Sequence, residues 1–193
     1  MFWLAPTIML ANVAYSATAE SLLTFFPLFG ISLGLTENFA LGLMTLMGFG
    51  TMILVMPLGW LADHIDRMGM LAACVALSMV GLMVMPWVLQ AHWLAVPFAF
   101  MFGGVEGMIY TLGVILVGER FKGALLAAAT TMVTACWGAG TVIGPLLVGA
   151  GMDRFGTDQM AFLILLIFAA YLPFPLVSWV RSRTSQADEE VQT

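Results

Sequence analysis

Six long apolar runs divide this sequence of 193 residues. A helix needs roughly 20 residues to cross about 30 Å of hydrocarbon, and each run reaches that length between short clusters of polar or turn residues. Because backbone groups in lipid must find their hydrogen bonds within the segment, we expect an all-α membrane protein with six transmembrane helices. The predicted spans are 6–35, 39–61, 68–89, 93–117, 124–151 and 160–180.

The composition identifies the lipid bilayer as the main surroundings of the chain. Hydrophobic residues account for 62% of the sequence and charged residues for 9%, whereas soluble globular proteins have roughly 45–50% and 25%. The chain has 6 Lys and Arg residues in all. These are too few to neutralise a run of phosphates, so we expect no nucleic-acid partner.

Short connections between the runs predict that each helix runs antiparallel to the next. Residues 1–181 then form one six-helix bundle, residues 182–193 form a polar tail, and both chain ends lie on the same side of the membrane. Lys and Arg near span ends stay preferentially in the cytoplasm. We therefore expect cytoplasmic termini, because only Arg154 lies on the far side. The basic residues on the near side are Arg67, Arg120, Lys122, Arg181 and Arg183.

A weak internal repeat relates the two halves of the predicted bundle. Pro57-Leu58 precedes Asp66-Arg67-Met68-Gly69 at the exit of the second run, and Pro145-Leu146 precedes Asp153-Arg154-Phe155-Gly156 at the exit of the fifth. Three crossings separate the copies, so helices one to three and four to six would be equivalent units of opposite orientation. Inverted repeats of this kind are typical of secondary transporters.

The turn between the second and third runs carries a motif. It reads Gly59-Trp-Leu-Ala-Asp63-His64-Ile-Asp66-Arg67, which resembles the G-x-L-A-D-R-x-G-R loop signature of the major facilitator superfamily. His64 replaces the usual Arg of that signature, and Asp66 replaces the usual Gly. These departures are typical of the degenerate copy in the second half of such transporters.

Two further motifs agree with this resemblance. Gly118-Glu119-Arg120 at the exit of the fourth run is similar to the family's E-R turn, and Gly140-x-x-x-Gly144-Pro145 in the fifth run is similar to its glycine-proline helix motif. The resemblance implies a 3+3 inverted-repeat bundle of the family's type, one of two bundles around a central cavity that the first and fourth helices line.

The polar tail indicates that this bundle is the C-terminal half. Its partner would be a second six-helix bundle, either a missing half or a second copy of the chain. The resemblance also implies a multi-pass protein of a bacterial inner (plasma) membrane, with a small-molecule substrate.

The loop motif has a physical interpretation of its own. Asp63 can approach the unsatisfied N–H groups of a helix N-terminus, and Arg67 can pair with Glu119 on the adjacent turn. Such a cytoplasmic gate, which includes Gly59 and Arg120, would hold one conformation and release in the other. The alternative is an ordinary solvated ion pair that contributes little.

Two carboxyl groups lie deep in predicted spans, Glu20 in the first and Glu106 in the fourth. A charge at that depth costs roughly 2.5–3.5 kcal/mol for Asp, Lys or Arg on insertion scales, which makes such a residue a functional candidate. Neither carboxyl has an intramembrane Lys or Arg in this sequence, so each could take up and release a proton near neutral pH. The alternative is a permanently protonated hydrogen-bonding residue.

Polar and aromatic residues accompany both carboxyl groups. Tyr110 follows Glu106 at i+4, on the same helix face. In the first run, Asn12 and Ser16 precede Glu20 at four-residue spacing, with Tyr15 beside them. These residues predict two polar faces of a binding pocket.

Trp137 is a further candidate for the substrate site, and it lies on a stripe of threonines in the fifth run, formed by Thr130, Thr134 and Thr141. Helix packing is the simpler interpretation of this stripe and of the small residues Gly140 and Gly144.

Three classes of function remain open. The first is secondary transport of a small solute, coupled to protons through Glu106 or Glu20. The second is a non-transporting membrane fragment or assembly partner. The third, an intramembrane enzyme, has little support: the sequence has no metal-ligand spacing, and its G-x-S-x-G match at residues 30–34 ends a membrane helix rather than following a strand. We expect no catalytic residues, metal or cofactor, and the sequence does not indicate the substrate or the direction of transport.

Overall fold

The computed structural model describes residues 4–171, apart from the side chains of residues 4–9, 11, 120, 124 and 171. Within this part the chain forms six α-helices, and a single 3-10 turn, Thr157–Gln159, precedes the last of them. The helices are α1 Leu4–Ser32, α2 Glu37–Ala62, α3 Arg67–Gln90, α4 His92–Arg120, α5 Ala124–Phe155 and α6 Met160–Tyr171. The end of the predicted sixth span, Arg181, Arg183 and the polar tail 182–193 lie outside the described residues.

Four of the described helices are long and apolar enough to cross a membrane. They are α2, α3, and the stretches His92–Glu119 of α4 and Leu125–Phe155 of α5. Helix α1 has sufficient length, but polar residues interrupt its apolar sequence, among them Asn12, Ser16 and Glu20. The described part of α6 has 12 residues.

Local chemistry fixes the turns between the helices. Asp66 precedes α3, and its side chain accepts a hydrogen bond from the backbone N–H of Gly69 at 2.8 Å, which satisfies one of the free donors at a helix N-terminus. Gly123 and Gly156, on either side of α5, adopt φ angles of +60° and +108°. Such backbone angles are unfavourable for residues with a Cβ atom.

Two helix pairs form the most extensive contacts among the described residues, α2 with α4 and α1 with α5. Glycine makes both possible. A Cβ atom at Gly103 of α4 would collide with the carbonyl oxygen of Met47 on α2, and one at Gly144 of α5 would collide with the carbonyl oxygen of Ala17 on α1. Helix backbones in membranes approach this closely only at small residues.

The remaining contacts follow the same pattern. Helix α3 packs on α4, and α6 packs on α1, while α3 and α6 also contact each other. If α1, α2 and α3 are exchanged with α4, α5 and α6, the pair of α2 with α4 becomes the pair of α5 with α1. The two main helix pairs are therefore equivalent in the order of the chain. An apolar core lies between these helices, and its largest fully buried side chains include Phe26, Phe29, Phe168, Leu82 and Met85.

Candidate functional site

Three aromatic side chains meet near the middle of the bundle, each from a different helix. The ring centroids of Tyr15 on α1 and Tyr110 on α4 are 6.0 Å apart. Trp137 on α5 lies 5.7 Å from Tyr15 and 5.0 Å from Tyr110, with an edge-on arrangement to the latter. We call these three residues the aromatic cluster. Tyr110 remains 42% exposed, so the cluster is accessible from one side.

Glu106 lies one helical turn before Tyr110, at the centre of α4. Its side chain is only 8% exposed. Its nearest polar neighbour is the buried hydroxyl of Ser78 on α3, which lies close enough to donate to this carboxyl group. Neither the Oε1 atom of Glu106 nor this hydroxyl makes a further hydrogen bond within the described part of the chain. Buried polar atoms are nearly always paired, so Ser78 is the local partner of Glu106 in this apolar setting.

A pocket of about 280 Å³ opens between α1, α2 and α4, and Glu106 and Tyr15 both line it. Its wall is otherwise almost entirely apolar, with Thr51 as the further polar residue. The Thr51 hydroxyl is engaged, because it donates to the carbonyl oxygen of Gly103 at 2.7 Å. The other lining residues are Ala19, Leu22, Leu23, Phe26, Met44, Met47, Gly48, Phe102 and Gly103.

Tyr15 belongs to both the aromatic cluster and the pocket wall, so it connects the two. Glu20, the other deep carboxyl, is half-buried on α1 and close enough to Tyr15 for an electrostatic interaction. It is not among the residues that line the pocket. The structure therefore brings Glu106, Tyr110, Tyr15 and Trp137 together, with Glu20 at the margin.

Asn12 and Ser16 occupy a different setting from Tyr15. Both are fully buried. The Ser16 hydroxyl donates to the carbonyl oxygen of Val13 at 3.1 Å, and a Cβ atom at Gly140 of α5 would collide with it. Ser16 thus lies in the contact between α1 and α5. Asn12 lies near Gly113 of α4.

The glycine-proline motif lies in that same contact. Gly140 and Gly144 bring the backbone of α5 onto α1 at residues 13–17, and Pro145 lies within α5 one residue later. The close approach of α1 and α5 is also what brings Tyr15 beside Trp137.

The loop motif forms an ion-pair network at one end of the bundle. Arg67, at the start of α3, contacts Asp63 at 2.7 Å and also contacts Glu119 at the end of α4. This network links the ends of three helices, although all three side chains are partly exposed. Gly59 has open space around its Cα, so packing does not require a glycine there. The Arg120 side chain lies outside the described residues.

The described basic residues lie at helix ends or in turns, far in sequence from the two mid-helix carboxyl groups, Glu20 and Glu106. Arg67 begins α3, Arg120 ends α4, Lys122 lies in the following turn, and Arg154 is in the last turn of α5. The mid-bundle site therefore presents carboxyl and aromatic groups to a bound molecule.

Sequence reasoning did not identify Ser78 or the apolar pocket. Ser78 is a single hydroxyl in an apolar helix, a pattern that is more often structural than functional. Asp66, which departs from the loop signature, has a structural role that its N-cap spacing to Gly69 could have revealed.

Comparison with known families gives a clear result. Residues 7–192 match the model of the Major Facilitator Superfamily. No curated protein matches the chain.

Proposed function

Because the chain belongs to the major facilitator superfamily, we propose that it is a six-helix half of a proton-coupled secondary carrier whose substrate site contains Glu106 and the aromatic cluster. The family itself establishes the general function: the chain is a multi-pass membrane protein of transmembrane transport, and it is not an enzyme. Our proposal adds three points to this general function. They are the coupling to protons, the residues of the substrate site and the partner bundle.

The packing supports a 3+3 inverted repeat. Helices α2 and α5 each make their most extensive contact with the first helix of the other triplet, α4 and α1 respectively. An inverted repeat with a two-fold axis in the membrane plane requires this exchange. The same two-fold relation favours six membrane crossings. It makes α1 equivalent to α4 and α6 equivalent to α3, and both α3 and α4 are long and apolar enough to cross a membrane.

The observation that carries the proposal is the buried carboxyl group of Glu106 in a pocket wall, where its neighbour is the neutral hydroxyl of Ser78 and no Lys or Arg of the described residues pairs with it. An ionised carboxylate without a cation is costly to bury. A change in the access of water to this pocket therefore changes whether Glu106 carries a proton. A carrier that alternates between two openings would use that dependence to couple proton movement to substrate movement.

The ion pairs of Arg67 with Asp63 and Glu119 are proposed as the cytoplasmic gate. They join the ends of α2, α3 and α4, so a movement of one of these helices relative to the others must break or re-form them. Each exposed pair contributes only about 0.2–1 kcal/mol, which permits a reversible gate. With this end in the cytoplasm, both chain termini would be cytoplasmic, in a bacterial inner membrane.

The partner is proposed to be a second six-helix bundle, with this chain as the C-terminal half. Tyr110 is 42% exposed and Trp137 is half-buried, so the site is open on the side where a second bundle would close it. A dimer of the purified chain in detergent, measured by light scattering with the micelle subtracted, would identify that bundle as a second copy. A monomer would identify it as a different chain or segment.

Proton flux tests the role of Glu106. The chain is reconstituted in liposomes that contain a pH-sensitive dye, together with any partner bundle that the mass measurement indicates, and a panel of cationic, neutral and anionic solutes is added. We expect a solute that moves protons with the native chain and not with Glu106→Gln. The matched control is Glu37→Gln, which makes the same change at an exposed residue in the first turn of α2. Equal proton flux in all three proteins would exclude Glu106 as the coupling residue.

A further inference from the structure

We propose that protons reach Glu106 by a route of their own, separate from the pocket between α1, α2 and α4, which we call the substrate pocket. The route begins at a second pocket beside the start of α3 and continues past Cys74 and Ser78 to the carboxyl group. This inference rests on the proposed function, because it says how the coupling proton enters and leaves the same site.

The second pocket lies at the end of the bundle that carries the loop motif, and we call it the α3 pocket. Its volume is about 410 Å³, and a water molecule takes about 30 Å³ in the liquid, so it has room for several. Its lining residues are Leu61, Ile65, Asp66, Gly69, Met70, Ala73, Cys74 and Leu77. Water that enters beside the turn before α3 can therefore reach a level one residue short of Ser78.

Cys74 connects the α3 pocket to the middle of the bundle. It lines that pocket, its side chain is only 7% exposed, and it lies within electrostatic reach of Glu106. Ser78 follows at i+4, so the two side chains lie on one face of α3, with their Cβ atoms about 5–6 Å apart. A single water molecule can bridge a gap of this size.

Ser78 completes the connection to Glu106. Its hydroxyl is fully buried and close enough to the carboxyl group to donate to it. A hydroxyl can donate one hydrogen bond while it accepts another, and a thiol has the same two roles in a weaker form. Cys74 and Ser78 can therefore pass a proton along α3, between buried neighbours that are otherwise apolar, such as Leu71, Val75 and Leu82.

The route and the substrate pocket approach Glu106 from different helices. The substrate pocket is lined by α1, α2 and α4, whereas the route follows α3, and the two pockets share no lining residue. Titratable side chains flank the carboxyl group on both sides, Tyr15 on α1 and Cys74 on α3. The wall from α2 is formed by Met44, Met47, Gly48 and Thr51. A substrate in its own pocket would therefore leave the proton route open.

The ion pairs of the loop motif lie beside the outer end of the route. Asp66 lines the α3 pocket, and the next residue, Arg67, pairs with Asp63 and Glu119. A movement that breaks these pairs displaces the start of α3 relative to α2 and α4, so it also changes the mouth of the α3 pocket. The gate and the access of protons would therefore change together.

Time-resolved infrared spectroscopy of the purified full-length chain in lipid nanodiscs tests the route without transport or a known substrate. A light flash releases protons from a caged acid. The carboxyl band of Glu106, identified by its loss in Glu106→Gln, then reports the rate of proton uptake. We expect uptake in the native chain to be limited by the route along α3.

Ser78→Ala should slow proton uptake about 5- to 150-fold, because one hydrogen-bonded step is lost. Ser78→Thr keeps the hydroxyl and should stay within about 3-fold of the native rate. The matched control is Ser21→Ala, the same change at a buried serine of α1, which should leave the rate unaltered. A lost relay slows uptake and release alike, so the equilibrium titration of the band distinguishes it from a change in the stability of the charged carboxylate.

A reversible block of Cys74 tests the α3 pocket in a protein that is already folded. In a chain whose other cysteine is alanine, methyl methanethiosulfonate converts the thiol to a methyl disulfide and releases methanesulfinate. Uptake should slow at least about 5-fold, and dithiothreitol, which restores the thiol, should restore the rate. The same treatment should not affect a chain that lacks both cysteines. If mass spectrometry shows that the reagent does not modify Cys74, the α3 pocket does not lead to the thiol and the route is wrong.

The outcomes separate the route from the proposed function. Unchanged uptake in Ser78→Ala, or after the block of Cys74, would overturn the route, because the proton must pass both positions; Glu106 would then exchange protons through the substrate pocket and keep its coupling role. A shift of the equilibrium titration in Ser78→Ala without slower release would overturn the relay as well. A Glu106 carboxyl group that takes up no proton at any pH would reject the coupling role itself, and the route with it.

Discussion

The contact between α1 and α5 gives the sharpest quantitative prediction. Gly144→Ala should destabilise the protein, because a Cβ atom there would lie 2.5 Å from the Cα of Ala17 and closer still to its carbonyl oxygen. The collision is with backbone atoms, so no change of side-chain rotamer relieves it. To restore ordinary contact the two helices must separate by roughly 1 Å, and such overpacking costs about 1–3 kcal/mol.

Gly138→Ala is the matched control, on the same helix. Gly138 is exposed, and a Cβ atom there meets nothing within 4 Å. Both substitutions gain about 0.5–1 kcal/mol from the lower backbone entropy of alanine in a helix. The difference between the free energies of unfolding of the two variants therefore reports the cost of the collision at Gly144. We expect Gly144→Ala to be less stable than Gly138→Ala by about 1–3 kcal/mol.

Denaturation by increasing sodium dodecyl sulfate in mixed micelles, followed by far-ultraviolet circular dichroism, measures this difference. A Gly144→Ala protein as stable as Gly138→Ala would show that the backbones of α1 and α5 are not in contact at this point. Such a result would also contradict the 5.7 Å distance between the rings of Tyr15 and Trp137, because these rings meet only if α1 and α5 cross this closely.

Two further substitutions test the Ser78 hydroxyl and the gate. Ser78→Ala should lower the free energy of unfolding by about 1–3 kcal/mol, because it removes the hydroxyl beside the buried Glu106 carboxyl group; Ser21→Ala, which removes a buried hydrogen bond of 2.6 Å, should lower it by about 1 kcal/mol. A Ser78→Ala protein as stable as the native chain in the same denaturation assay would show that this hydroxyl does not pair with Glu106. Arg67→Gln should increase the rate at which a maleimide labels Cys74 on α3, in a background whose other cysteine is alanine, while Arg154→Gln at the end of α5 should not. Equal labelling rates would show that the ion pairs do not restrict access to this end of the bundle.

The number and order of the helices could be predicted from the sequence, because the physics of a membrane helix depends on length and composition more than on periodicity. Runs of about 20 apolar residues have few alternatives in lipid. Glu106 can be identified as a candidate for the same reason, since a single carboxyl in such a run is costly wherever it points. The identification needs no knowledge of its neighbours.

The rotation of each helix about its axis could not be predicted in the same way. Asn12, Ser16 and Glu20 share a spacing that suggests one polar face, yet Ser16 lies against α5 while Tyr15, one residue earlier, faces the pocket. Adjacent residues point about 100° apart on a helix. Which of them faces a cavity depends on the close approach at Gly140, and the sequence shows the glycine without showing the helix that it meets.

The position of Tyr15 links the two parts of the proposed substrate site. It packs on Tyr110 and Trp137 on one side and lines the pocket of Glu106 on the other. These neighbours come from both triplets: α1 and α2 belong to the first, and α4 and α5 to the second. A movement of one triplet against the other therefore changes the cluster and the access to Glu106 together. Because coupling between two binding events is reciprocal, a substrate bound at the cluster must then alter proton binding at Glu106 by the same factor as the proton alters substrate binding.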